Sequence, residues 1–156
     1  MTQSEMTTSV FVYGSLLFDE VVERLTGKLF QAEEASLADH ARYAIQQEGR
    51  VAKGPAIICE PGRVVKGRLL KDIDPDTLRI FDRFEFGDTD PSRYERVSVV
   101  VTLRYGEMVP AETYRAVTGL RPFLCGDWSE KDFKVRHLEF YVNDWLPRLR
   151  QQWGMS

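Results

Sequence analysis

Between Arg96 and Arg104 the side chains alternate in character. Val97, Val99, Val101 and Leu103 fall on one side of an extended chain, while Arg96, Ser98, Thr102 and Arg104 fall largely on the other. A period of two marks a β-strand with one face turned to a core. Tyr105-Gly106-Glu107 then reads as a hairpin tip and Met108 to Ala116 as the return strand. Upstream, Ser9 to Tyr13 is a short strand ending in Gly14-Ser15, and Glu20 to Thr26 a helix with Asp19 as cap and Gly27 as stop. Leu29 to Gln47 holds one or two strands. Ala56 to Cys59 and Arg63 to Lys71 are predicted to form a hairpin across Glu60-Pro61-Gly62, with Gly67 marking a bulge or a close backbone approach.

Two segments read as strong helices. Asp74-Pro75 is a cap followed by proline at the first helical position, and the helix is predicted to reach Phe84. Gly87 to Pro91 reads as a polar turn. Ser129, with Asp132 three residues on, opens a second helix whose stripe Phe133, Leu138, Tyr141, Val142, Trp145 and Leu149 is core packing, with Pro147 ending or bending it. Hairpin signals outnumber regular strand–helix alternation, so the chain reads as α+β with a largely antiparallel, curled sheet and an appended C-terminal helix.

Composition bounds the function. At 43% hydrophobic and 29% charged residues the chain is ordinary globular material. Residues 1–8 read as a loose polar tail and residues 9–150 as one domain. The formal net charge of −3 disfavours a general nucleic-acid or membrane-surface partner. The cluster Arg63, Lys66, Arg68 and Lys71 reads as the solvated face of a strand. Cys59 and Cys125 stand apart in apolar surroundings and read as buried reduced thiols. The start lacks the pattern of a signal peptide and no run has the length of a membrane span, so a soluble, cytoplasmic protein is expected.

The sequence contains no zinc-type Cys/His pattern, no phosphate-binding glycine loop and no G-x-S-x-G elbow. A serine hydrolase would use Ser15 with His40 or His137, and nothing in the sequence ties either histidine to it. Two places carry more. At Val10 to Leu17 an apolar strand runs into Gly14-Ser15, where exposed backbone N–H groups could receive a carboxylate or a developing oxyanion. Taken alone, these residues favour an ordinary strand-to-helix turn. At Glu85 the spacing Leu78, Phe81, Glu85 puts the carboxyl on the apolar face of its helix. There it would be desolvated, with a pKa raised toward neutrality, as general acid–base chemistry requires. The other arrangement ends the helix early and pairs Glu85 with solvent or with Arg83, Arg93 or Arg96.

Both places fit one family. Val10-Phe11-Val12-Tyr13-Gly14-Ser15-Leu16 resembles the N-terminal signature of the γ-glutamylcyclotransferase-like family, which includes the AIG2-like proteins. Phe81-Asp82-Arg83-Phe84-Glu85, followed by Tyr94-Glu95-Arg96 and a Val-rich strand, resembles its second signature, although Phe86 stands where glycine is frequent. Pro55-Ala56-Ile57, Val65 to Leu69, Tyr114 and the helix from Trp128 to Trp145 fit as well, so the likeness spans Val10 to Trp145. The resemblance implies a small, mainly antiparallel β-barrel-like sheet with flanking helices and a cavity above the strand-end loop. It also implies a cofactor-free and metal-free cyclotransferase that turns a small γ-glutamyl compound into 5-oxoproline and a free amine. By that resemblance Glu85 is the general acid/base, and backbone N–H groups of Tyr13, Gly14, Ser15 and Leu16 hold the substrate. Tyr94 and Tyr114 would line the pocket and donate hydrogen bonds. The alternative on the same fold is a carboxylate-binding module without turnover.

Overall fold

The computed structural model describes residues 6–47, 50–87 and 93–155. Five strands close into a barrel in the order β1-β3-β2-β4-β5. They are β1 (Thr8–Val12), β2 (Ala32–Gln47), β3 (Arg50–Ile73), β4 (Tyr94–Leu103) and β5 (Met108–Ala116). All neighbours are antiparallel except β1 and β5, which meet in parallel at Val10 and Glu112 and shut the barrel. The expected mainly antiparallel, barrel-like α+β architecture is what the chain forms. The expected turn over Gly87 to Pro91 falls largely outside the described residues.

The alternating stretch that opens the argument is β4. Val101 and Leu103 are buried and Val100 is exposed, and β4 pairs with β5 from Tyr94 opposite Ala116 to Thr102 opposite Met108. Gly106 takes a positive φ of 92° at the tip, which glycine adopts without steric penalty. The hairpin predicted across Pro61-Gly62 does not form. β3 runs straight through that segment and pairs along β2, with a register shift between Ala38 and His40. Asp39 and Gly62 both take positive φ there, and the Asp39 carboxylate accepts the Gly62 N–H at 2.9 Å. A turn signal thus serves as a bulge within a long strand. The two thiols are also corrected: Cys59 and Cys125 are free and exposed. Cys59 follows the buried pair Ala56 and Ile57 on the way out to the bulge, and Cys125 sits in a loop held by its N–H to Ala44 O.

Helix α1 (Asp19–Thr26) ends at Gly27, as expected, in the left-handed conformation. Helix α2 (Pro75–Phe86) starts where the Asp74 carboxylate accepts the Thr77 N–H. The C-terminal stripe is helical but not one helix. It is split into α3 (Glu130–Arg136), α4 (Leu138–Phe140), a π-helical turn (Tyr141–Trp145) and α5 (Leu146–Gln152). Pro147 lies in the first turn of α5, where its missing N–H is needed least; the wide turn before it absorbs the break. Phe133, Tyr141 and Leu146 from this segment join Val21, Val22 and Leu25 of α1 and Phe81 of α2 in one core outside the barrel. A second core fills the barrel around Phe11, Ile57, Leu69 and Val101. No helix among the described residues is long and apolar enough to cross a membrane.

Gly67 is where β3 crosses β1 most closely. A methyl group there would stand 2.2 Å from Val12 O and 2.9 Å from the Phe11 ring. Gly67→Ala is therefore expected to lose roughly 1–3 kcal/mol in urea unfolding, while Gly119→Ala, whose new methyl meets nothing within 4 Å, stays within about 0.5 kcal/mol of wild type.

Candidate active site

Closure of the barrel brings the end of β1 against the strands on either side of it. The chain from Phe11 to Leu16 forms one wall of a cavity, Gly54 and Pro55 of β3 a second, and Tyr94 of β4 with Tyr114 of β5 a third. Glu85, near the end of α2, completes it. All seven residues singled out in the sequence, Tyr13, Gly14, Ser15, Leu16, Glu85, Tyr94 and Tyr114, therefore meet in one place. The cavity is about 30 Å³, room for about one water molecule.

Gly14 has a steric reason to be glycine, since a Cβ there would stand 2.6 Å from the Pro55 ring. After it, Ser15–Leu17 form one turn of 3₁₀-helix whose first internal bond is Leu17 N–H to Gly14 O at 2.9 Å. The N–H groups of Ser15 and Leu16 precede that bond, so the turn itself gives them no partner. The loop is fixed from outside by Arg42, whose guanidinium donates to Tyr13 O at 2.8 Å and stacks over Trp128. Neither histidine lines the cavity. His40 Nδ1 lies 2.9 Å from Ala38 O, and the His137 ring packs on Phe133.

Glu85 lies on the inward side of α2, one turn beyond the fully buried Phe81. Of its alternative partners, Arg83 sits over the Trp153 ring and Arg96 turns to Asp82 and Glu112. Burial of the carboxyl, and secondarily the nearby Asp82, raise its pKa from 4.5 to about 8. The residue keeps some accessible surface, part of it on the cavity wall, and among the described residues no Lys or Arg lines the cavity to favour the ionised form.

The tyrosines differ from expectation in one respect. Tyr94 and Tyr114 were expected to donate to a bound molecule, but their hydroxyl protons are already placed: Tyr94 donates to Pro55 O at 2.7 Å and Tyr114 to Asp82 Oδ1 at 2.6 Å. Tyr13 likewise donates to Tyr114 O at 2.5 Å. Burial pushes the pKa values of all three up, so they stay neutral. Sequence reasoning missed Asp82, although its place three residues before Glu85 on a helix was a usable signal. It also read Tyr141 only as core, whereas Glu85 acts on its hydroxyl and pushes its pKa further up than burial alone. Among the described residues no cluster of three or more His, Cys, Asp or Glu side chains could hold a metal ion.

This chain belongs to the gamma-glutamyl cyclotransferase, AIG2-like family, whose pattern it matches over residues 10–130. It is 37% identical to the AIG2-like protein D of Arabidopsis thaliana over 134 residues, covering 86% of this chain and 84% of that one. An Arabidopsis thaliana protein solved in solution superposes with a TM-score of 0.67 at 28% identity, covering 97% of this chain and 88% of that one. A solved gamma-glutamyl cyclotransferase shares the fold with a TM-score of 0.61 at 19% identity, over 72% of this chain and 68% of that one.

The raised pKa of Glu85 has a thermodynamic consequence whose sign is fixed. Below about pH 4.5 the carboxyl is protonated in folded and unfolded chains alike, and between there and about pH 8 only the unfolded chain releases the proton. Stability therefore falls as pH rises through that window. Glu85→Gln is expected to match wild type near pH 4.5 and to be more stable at pH 8, by at most on the order of 5 kcal/mol, less what cavity water returns to the carboxylate. Thermal melts of both proteins across this range check it; parallel curves would contradict it.

Proposed function

We propose that this member of the family is an active cyclotransferase, which takes a γ-glutamyl compound and releases 5-oxoproline and a free amine. One observation carries the reading: a carboxyl group with its pKa raised to about 8 shares a cavity with the Gly14 loop. That combination suits a reaction in which one group must first accept a proton and then return it.

The substrate supplies both reacting atoms. Its α-amine, in the neutral form, attacks its own γ-carbonyl carbon, and the carbonyl oxygen takes the negative charge. Backbone N–H groups of Ser15 and Leu16, which the turn itself leaves without a partner, receive that oxygen or the α-carboxylate in this reading. The attacking nitrogen gives its proton to the Glu85 carboxylate. The intermediate then collapses, the γ-carbon–nitrogen bond breaks, and the Glu85 carboxyl returns the proton to the leaving nitrogen. No group on the protein forms a covalent bond. Holding the amine and carbonyl together in a folded conformation supplies much of the acceleration. The tyrosine oxygens, with their protons engaged elsewhere, suit the substrate's N–H groups. A γ-glutamyl group is larger than the 30 Å³ cavity, so binding has to widen it.

Release of 5-oxoproline from a panel of γ-glutamyl amino acids and γ-glutamyl amines tests the proposal. Wild type should turn over at least one of them, with kcat/KM rising with pH toward a plateau above about pH 8, because only ionised Glu85 accepts the proton. Glu85→Gln should remain folded and lose roughly 10²–10⁴-fold in kcat. A Gln variant with wild-type turnover would refute the role of Glu85. A ligand that raises the melting temperature of both proteins equally, with no product from either, would favour a binding module instead.

A further inference from the structure

We propose that Asp82 is a positioning residue for this ring closure, holding the Tyr114 wall of the cavity and setting a fixed negative charge beside Glu85. The inference rests on the cyclotransferase reading and goes beyond it to a residue that does not itself line the cavity.

Asp82 and Glu85 lie three residues apart on α2 and so are neighbours on its surface. Each oxygen of the Asp82 carboxylate has work. Oδ1 accepts the Tyr114 hydroxyl at 2.6 Å. Oδ2 lies 3.6 Å from the Arg96 guanidinium, which also stands 3.6 Å from Glu112. Arg96 and Tyr114 are direct neighbours across the β4–β5 ladder. Asp82 thus clamps two adjacent positions of the barrel wall to the helix that carries Glu85. The connection continues inward, because the Tyr114 backbone carbonyl accepts the Tyr13 hydroxyl, and Tyr13 begins the substrate loop. A chain from Arg96 through Asp82 and Tyr114 to Tyr13 therefore links the barrel surface to two buried tyrosines.

The charge matters as much as the clamp. Among the described residues, the groups shown to act on Glu85 or feel it are Asp82 on its own helix, Tyr13 just after β1, Tyr94 on β4, Tyr114 on β5 and Tyr141 in the C-terminal segment. The four tyrosines are neutral, so Asp82 supplies the formal charge nearest to Glu85 in this set. It opposes release of the Glu85 proton and keeps that carboxyl a usable acid. Arg96 offsets part of the same charge and sets how strongly it is felt.

Opposite substitutions give opposite signs, which general loosening of the site cannot do. The readout is the pH titration of the Glu85 side-chain carboxyl by ¹³C NMR on protein labelled at glutamate, assigned by its absence from Glu85→Gln. Asp82→Asn keeps an acceptor for Tyr114 and removes the charge, so the midpoint should fall by roughly one pH unit and the kcat/KM profile should follow it. Arg96→Gln leaves Asp82 uncompensated, and the midpoint should rise. Tyr114→Phe breaks the clamp with both charges kept; kcat should drop about tenfold with a smaller change in KM and the midpoint should hold. Charge variants that leave the midpoint in place, or move it in one common direction, would overturn the proposal. If Asp82→Asn does not fold, Arg96→Gln decides: a rise supports the proposal, and no change or a fall overturns it. A wild type that releases no 5-oxoproline from any substrate defeats the functional reading, and the titration still distinguishes that failure from this one.

Discussion

A carboxyl group placed in a protein cavity without a cation beside it stays protonated near neutral pH, and the polar architecture around this site follows from that constraint. Glu85 meets it by position, on the inward side of α2 and against a wall of neutral tyrosines. Two arginines near it in sequence are turned elsewhere, Arg83 onto Trp153 and Arg96 onto Asp82 and Glu112. Arg42 holds the Gly14 loop from outside through the Tyr13 carbonyl. Among the described residues positive charge thus braces the site without lining it.

Barrel closure is what makes such a site affordable. Parallel contact between β1 and β5 sets the end of β1 beside Tyr114, and the antiparallel β1–β3 pairing brings the same loop toward Pro55. Two glycines permit these approaches: Gly67 where β3 meets Val12 O, and Gly14 where the loop meets the Pro55 ring. At Gly14 the chain can lie this close to β3 because there is no Cβ to meet the Pro55 ring. The tyrosine hydroxyls, each bonded to a different segment, then tie β3, β5 and α2 together around the space.

Local signals carried much of this in the sequence. The alternation of β4, the Asp74-Pro75 start of α2 and the glycine after α1 depend on neighbours within a few residues, and each appears where it was read. The inward aim of Glu85 was legible as one of two arrangements, because spacing fixes a helix face but not where the helix stops. What stayed hidden depends on partners far along the chain. Pro61-Gly62 looked like a hairpin tip because turn chemistry and bulge chemistry use the same residues; only the length of β2 decides between them. Cys59 seemed buried by its apolar neighbours, yet the bulge beside it turns it outward. The direction of the tyrosine protons was invisible, since their acceptors lie 101, 39 and 32 residues away. Asp82 and Tyr141 were concealed by more ordinary roles, a charge on a helix and an aromatic in a core stripe.

The protonation state of Glu85 is the direct test of the account. Infrared difference spectra between wild type and Glu85→Gln, recorded with glutamate isotope-labelled, report whether that one carboxyl carries its proton. At pH 6.5 the account predicts a carboxylic acid band that is replaced by a carboxylate band as pH is raised past about 8. A carboxylate band already complete at pH 6.5 would contradict it, because the group would then be an ordinary solvated glutamate with no proton to return to a leaving amine.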